Sequence, residues 1–214
     1  MAGGVAAAVQ MIAFVTVAGL TRPGYDSNRN WISQLSLGPG GWLNDVNLAL
    51  CGVYLILCAA GLRGFRAARL ILLSGVCLVA IALLRTDPGI GYPPDVAPAR
   101  TFIGTTHQLV SVVLGFAGIA AAALLGRDIG RQRTGRAVAV VMAVSFVAGS
   151  VLVLLDAGGV LPGAPSGLLE RVALFTGFGW IGYASALRLV RPDSPAPAFP
   201  VATGRAAGAG RDTG

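Results

Sequence analysis

Long apolar stretches alternate with short polar ones along most of this chain. Six runs stand out, near residues 5–20, 43–62, 68–84, 102–125, 137–155 and 168–190. A helix that crosses a bilayer needs about 20 mostly apolar residues, and several of these runs reach that length. Turn and charge signals separate them: Arg22-Pro23-Gly24, Arg63-Gly64, Asp87-Pro88-Gly89, Pro93-Pro94, Gly158-Gly159 and Pro162. Glycine and proline punctuate helical patterns in this way, and only 21–42 and 85–101 are long connections. The pattern predicts an all-α, polytopic membrane protein, a bundle of six transmembrane helices over residues 1–191. Small residues crowd the runs, as in GFAGIAAAALLG and AVSFVAGS, and permit the close helix packing that association in lipid relies on. Beyond residue 191 the chain is Pro-, Ala- and Gly-rich without an apolar period, so 192–214 reads as a disordered cytoplasmic tail. The first run is short, but no basic residue precedes it and Arg22-Pro23 follows where a signal peptide would carry a small-residue cleavage site. It reads as a retained helix.

Composition sharpens this picture. Hydrophobic residues make up 55% of the 214 and charged residues only 12%, against roughly 25% charged in a soluble domain. That leaves too little polar surface for a water-exposed globule. The formal charge is +7, and all 16 basic residues are arginine. No basic face with reading elements accompanies them, which excludes nucleic acid as a partner. The arginines instead flank apolar runs, where they set orientation and meet anionic lipid headgroups. Even-numbered loops and both termini share one side, with Arg63, Arg66, Arg69, Arg127, Arg131, Arg133, Arg136, Arg188, Arg191, Arg205 and Arg211. The other side has Arg22, Arg29, Arg85, Arg100 and Arg171. The positive-inside rule then places both termini in the cytoplasm, with a bacterial cell membrane as the expected location and membrane lipids as partners.

The acids sort the opposite way. Asp26, Asp45, Asp87, Asp95, Asp156 and Glu170 fall on the outer side, and the sole histidine, His107, belongs near the outer end of its helix. Asp87 and His107 form the strongest chemical pair. His107 lies about 9 Å into a helix that starts at Thr101, a depth at which an ionisable group faces the bundle interior or a wet cavity. Histidine suits proton transfer near neutral pH, but an Asp–His bond that only ties two helices together fits the same spacing. Glu170-Arg171 opens the last helix, where a Glu is favoured by the helix dipole, and Arg171 is placed to pair with Asp87 or Asp156 or to hold an anionic headgroup. Asn47 lies one turn into the second helix, within reach of the same site.

In 21–42, TRPGYDSNRNWISQLSLGPGGW, Trp31, Ile32 and Leu35 make one face of a short helix capped by Ser27 or Asp26. It reads either as an anchor lying flat at the membrane surface or as a cap over the site with Arg29 and Ser33 turned inward. Cys51, Cys58 and Cys77 lie inside apolar runs, and Cys51 and Cys58 stand about 10 Å apart along one helix, beyond disulfide reach. One histidine and scattered cysteines leave no zinc set, so no metal and no cofactor is expected. Gly177-x-Gly179-x-x-Gly182 matches a dinucleotide fingerprint by letters alone, without the strand that motif requires, and reads as packing surface.

The stretch PGYDSNRNWISQLSLGPGGWLNDVNLALCGVYLI, with its aromatic-Asp segment, its Ile-Ser-x-Leu step and its Gly-Pro-x-Gly-Trp entry into the second helix, resembles a bacterial and archaeal membrane family, the domain-of-unknown-function 998 family. RTDPGIGYPPD followed by GTTHQLVS, and GLLERVALFTGFGW, are similar to it as well. The resemblance covers most of residues 20–190 and implies the fold without implying a reaction. Two functions stay open. One is an enzyme acting on a lipid-like or isoprenoid molecule, with Asp87 and His107 as the acid–base pair and Arg29, Ser33, Asn47, Asp26, Glu170 and Arg171 binding the polar end. The other is a non-catalytic membrane protein, binding or moving a hydrophobic small molecule or supporting a partner, in which these residues tie the helices together.

Overall fold

A computed structural model of the chain describes residues 1–190. Six α-helices form: α1 (Ala2–Thr21), α2 (Trp42–Gly61), α3 (Ala68–Leu83), α4 (Phe102–Asp128), α5 (Gln132–Ala157) and α6 (Ser166–Val190). A single 3-10 turn, Ile32–Ser36, lies between α1 and α2, and there is no strand among the described residues. The tail expected over 192–214 lies outside them.

Each helix packs on the next, and α6 closes on α1, so the bundle is a ring. Five helices are long and apolar enough to cross a membrane, and α3, with 16 residues, is shorter. Between 22% and 44% of each long apolar window is buried inside the fold, so most of its residues face outward. Val17, Phe116, Val144 and Leu154 are among the large apolar side chains exposed on the ring's outer wall. Water would not tolerate that surface, and lipid does. The chain is a multi-pass membrane protein.

Several helices extend beyond their apolar runs. α4 continues to Asp128 and α5 begins at Gln132, because the arginine-bearing residues between the runs stay helical up to a tight turn at Gly130 (φ 72°). Close helix contact depends on glycine at particular crossings. A Cβ on Gly52 would meet the Gly75 carbonyl at 2.7 Å, and one on Gly135 would meet the Gly126 Cα at 2.6 Å. The Gly177–Gly182 run is packing surface in part: Gly177 faces Met142 and Gly182 faces Ala8, but Gly179 faces open space.

The up-and-down course gathers 22–41, 84–101 and 158–165 at one end of the ring. The other end has Met1, 62–67, 129–131 and the last turn of α6. The segment read either as a flat surface anchor or as a cap is folded into the first of these ends. All five residues of its 3-10 turn are buried, because their backbone and side chains find partners on α2, α6 and the 84–101 loop.

Candidate functional site

Arg171 organises the polar end. It is buried, with no carboxylate within ion-pair distance. Its Nη1 donates to the carbonyls of Ser27, Asn30 and Gly167 at 2.7, 2.9 and 2.9 Å, and its Nη2 donates to the Tyr25 hydroxyl. Tyr25 in turn shares its proton with the carbonyls of Asn30 and Trp31, at 3.0 and 2.9 Å, and its ring lies 5.4 Å under the guanidinium. Burial pushes the Tyr25 phenol well above its ordinary pKa. The pairing of Arg171 with Asp87 or Asp156 that the sequence suggests does not form, because the loop's carbonyls and the Tyr25 hydroxyl occupy its donors. Gly167 lets that loop approach: a Cβ there would stand 2.3 Å from the Asn30 carbonyl oxygen.

Asp156 belongs to Arg29, whose Nε and Nη2 each donate to a carboxylate oxygen at 2.7 Å. That bidentate pair raises the Arg29 pKa and fastens the loop to the end of α5. Around it, the Ser166 hydroxyl donates to the Arg29 carbonyl at 3.0 Å, and Asn44 donates to the Ile32 carbonyl and the Ser36 hydroxyl at 3.1 and 3.0 Å. Gln34 donates to the Gly89 carbonyl at 2.6 Å and Asn30 to that of Ile90 at 3.1 Å. Tyr25 and Tyr92 meet edge to face at 5.2 Å. The two long loops thus form one knitted cap.

Beneath the cap lies an apolar cavity of about 90 Å³. Leu114, Gly118, Met142, Phe146, Leu174 and Gly177 are among the residues that line it, and Trp31 and Glu170 stand on it from the cap side. Leu114, Gly118, Phe146 and Leu174 are only half-buried, so the space is reachable from outside the ring. Its two serines have spent their protons within their own helices, Ser74 on the Leu70 carbonyl and Ser111 on that of His107, both at 2.9 Å. Two polar groups keep capacity. The Trp31 indole N–H is buried with no partner. Glu170 accepts the Ile32 N–H through Oε2 at 2.6 Å, and its other oxygen takes no hydrogen bond and no ion pair.

The other residues singled out from sequence are dispersed. Asp87 accepts the Thr101 N–H and hydroxyl, both at 2.7 Å, while the Thr101 oxygen caps Gly104 N at 3.0 Å; together they cap the start of α4. His107 is buried, and its Nδ1 donates to the Leu84 carbonyl, a bond that fixes the tautomer and leaves Nε2 buried and without a partner. No hydrogen bond joins Asp87 to His107. Asn47 accepts from Gln10 at 3.4 Å, between α2 and α1. Asp26 is exposed and accepts the Asn28 N–H at 2.9 Å within its own turn. Ser33 is buried in the 3-10 turn. Among the described residues no three His, Cys, Asp or Glu side chains group as metal ligands, and the three cysteines are free. Tyr25, Gln34 and the cavity face of Trp31 had no distinct signal in the sequence, since their partners are backbone groups or empty space.

No curated protein and no solved structure matches the chain. A family model described as "Protein of unknown function (DUF998)" matches residues 5–187, a span that takes in parts of all six helices, the whole cap and the cavity. The chain belongs to the DUF998 family of proteins of unknown function.

Proposed function

We propose that the protein binds a lipid-like molecule, its polar end under the cap and its hydrocarbon part running out between the helices. The observation that carries this reading is the placement of Glu170 and Trp31, an acceptor and a donor with spare capacity, on an otherwise apolar cavity. Buried polar groups are normally hydrogen-bonded, so two with spare capacity on one cavity favour a ligand that satisfies both. A hydroxyl does so, donating to Glu170 and accepting from Trp31. The volume, about 90 Å³, is below the roughly 150 Å³ of a cavity that takes up benzene. It therefore holds the polar end and the first few carbons, and the rest of the molecule lies among lipid. In this reading the arginine-rich end faces the cytoplasm of a cell membrane, and α3 spans with its neighbours.

Farnesol and its saturated hydrocarbon, farnesane, test the proposal on protein in mild detergent. Farnesol is expected to raise the unfolding temperature of the wild type and farnesane to leave it unchanged. Gly118→Leu, which fills the cavity, should abolish the shift, and Glu170→Gln should weaken it. Equal shifts with both compounds, or a full shift in Gly118→Leu, would sink the reading.

A second reading, acid–base chemistry by His107, rests on the bare Nε2 alone. Under it, His107→Gln, which keeps a donor for the Leu84 carbonyl, abolishes turnover while leaving stability and farnesol binding intact. In a purely structural role His107→Ala lowers stability, because it strands the Leu84 carbonyl, and His107→Gln restores it.

A further inference from the structure

The opposite end of the ring has its own built site. A groove of about 730 Å³ runs between the end of α2 and the start of α3. Ile56, Ala60 and Leu72 form its apolar wall, and Arg63, Arg66 and Arg69 form its rim. All three arginines are exposed.

The loop that presents them is held in place. Leu62, Phe65 and Ala67 are buried beneath it, Phe65 lies 4.7 Å under the Arg188 guanidinium, and Ala67 N donates to Asp128 Oδ2 at 3.0 Å. Three guanidinium groups therefore ring an apolar slot at the level where the bundle leaves the hydrocarbon. The neighbouring α3 has 16 residues, about 24 Å of rise, against a hydrocarbon layer of roughly 30 Å. Lipids beside so short a helix adapt by bringing their headgroups inward, toward the arginine rim.

We infer that this groove binds one anionic phospholipid, its phosphate between Arg63, Arg66 and Arg69 and an acyl chain along Ile56, Ala60 and Leu72. Guanidinium groups fork onto phosphate oxygens, and basic pockets between helix ends suit anionic headgroups. A neutral lipid supplies no net charge for three cations. A free phosphate supplies nothing for the apolar wall.

Native mass spectrometry of the detergent-purified protein, titrated with phosphatidylglycerol, phosphatidylcholine or inorganic phosphate, tests this. The wild type is expected to retain one phosphatidylglycerol, to retain no phosphatidylcholine, and to keep its lipid in excess inorganic phosphate. The triple variant Arg63→Gln/Arg66→Gln/Arg69→Gln should lower phosphatidylglycerol affinity about ten-fold or more. Ala60→Trp, which changes no charge and blocks the wall, should lower it as well. A control at the same end, Arg127→Gln/Arg133→Gln/Arg136→Gln, should leave it unchanged. Equal losses in the two triple variants would show a diffuse charge effect and overturn the site. Displacement by inorganic phosphate, or full binding in Ala60→Trp, would overturn it too.

Discussion

Arg171 is a buried cation held entirely by neutral oxygens: three carbonyls and one hydroxyl. A planar fork with several fixed donors can serve all of them at once, and a lysine cannot. Hydrogen bonds to a charged group contribute about 1.5–3 kcal/mol each and are not additive. Arg171→Ala is therefore expected to cost about 3 kcal/mol or more, seen as a lower unfolding temperature in detergent and as new protease cleavage within residues 22–41. Arg171→Lys should recover only part of the loss. Tyr25 adds a dependence on pH. Burial holds its phenol protonated in the folded state above the ordinary value of about 10. In the unfolded chain the phenol releases its proton near that value, so its contribution is intact below about pH 10 and fades as pH rises further. Unfolding temperature should fall in strong alkali, and Tyr25→Phe should flatten that fall without removing it, since burial raises the Tyr92 phenol too.

The helices were legible in the sequence because hydrocarbon demands long apolar runs, and nothing in 43–62 or 102–125 competes with that demand. Their ends were less legible. Arginines at 127, 131, 133 and 136 mark the ends of the apolar runs, yet the backbone stays helical past those ends. The segment 21–42 fitted a surface anchor as well as a cap, because its partners lie far along the chain. Asp156 is 127 residues from Arg29, and Arg171 is 141 residues from Asn30. The cluster of acids and arginines at the capped end was visible, but its pairing was not. His107 and Asp87 look like partners by type, while the structure gives one the Leu84 carbonyl and the other Thr101, backbone and capping bonds that no residue pattern announces. At this scale packing is also testable. Gly75→Val places a side chain against the Gly52 carbonyl, where even a Cβ would stand 2.7 Å away, and overpacking of this kind costs about 1–3 kcal/mol. Gly179→Ala, with nothing within 4 Å, should leave the unfolding temperature unchanged.

For the whole molecule, charge is divided between the two ends. The cap contains Arg22, Arg29, Arg85, Arg100 and Arg171, and four of these are engaged: Arg22 by loop carbonyls, Arg29 by Asp156, Arg85 by Asp45 and Arg171 as described. The other end presents eight arginines among the described residues, from Arg63 to Arg188, with Asp128 as the one acid. Placing this end in the cytoplasm leads to a clear labelling result. The native cysteines are buried, so an introduced thiol is read against a low background. A membrane-impermeant maleimide should label Val160→Cys on intact cells and should label Arg133→Cys only after the membrane is opened. The reverse pattern would invert the orientation.

The cap also constrains the order in which the protein can be completed during synthesis. Residues 22–41 leave the ribosome early, but the groups that fasten them, Asp156 and Arg171, emerge more than a hundred residues later. Until α5 and α6 have been inserted, the loop has no clasp, and its carbonyls have only water to bind. A nascent chain arrested before residue 156 should therefore expose this loop to protease even with its first four helices already in the bilayer, and protection should arrive only once the last helix is delivered.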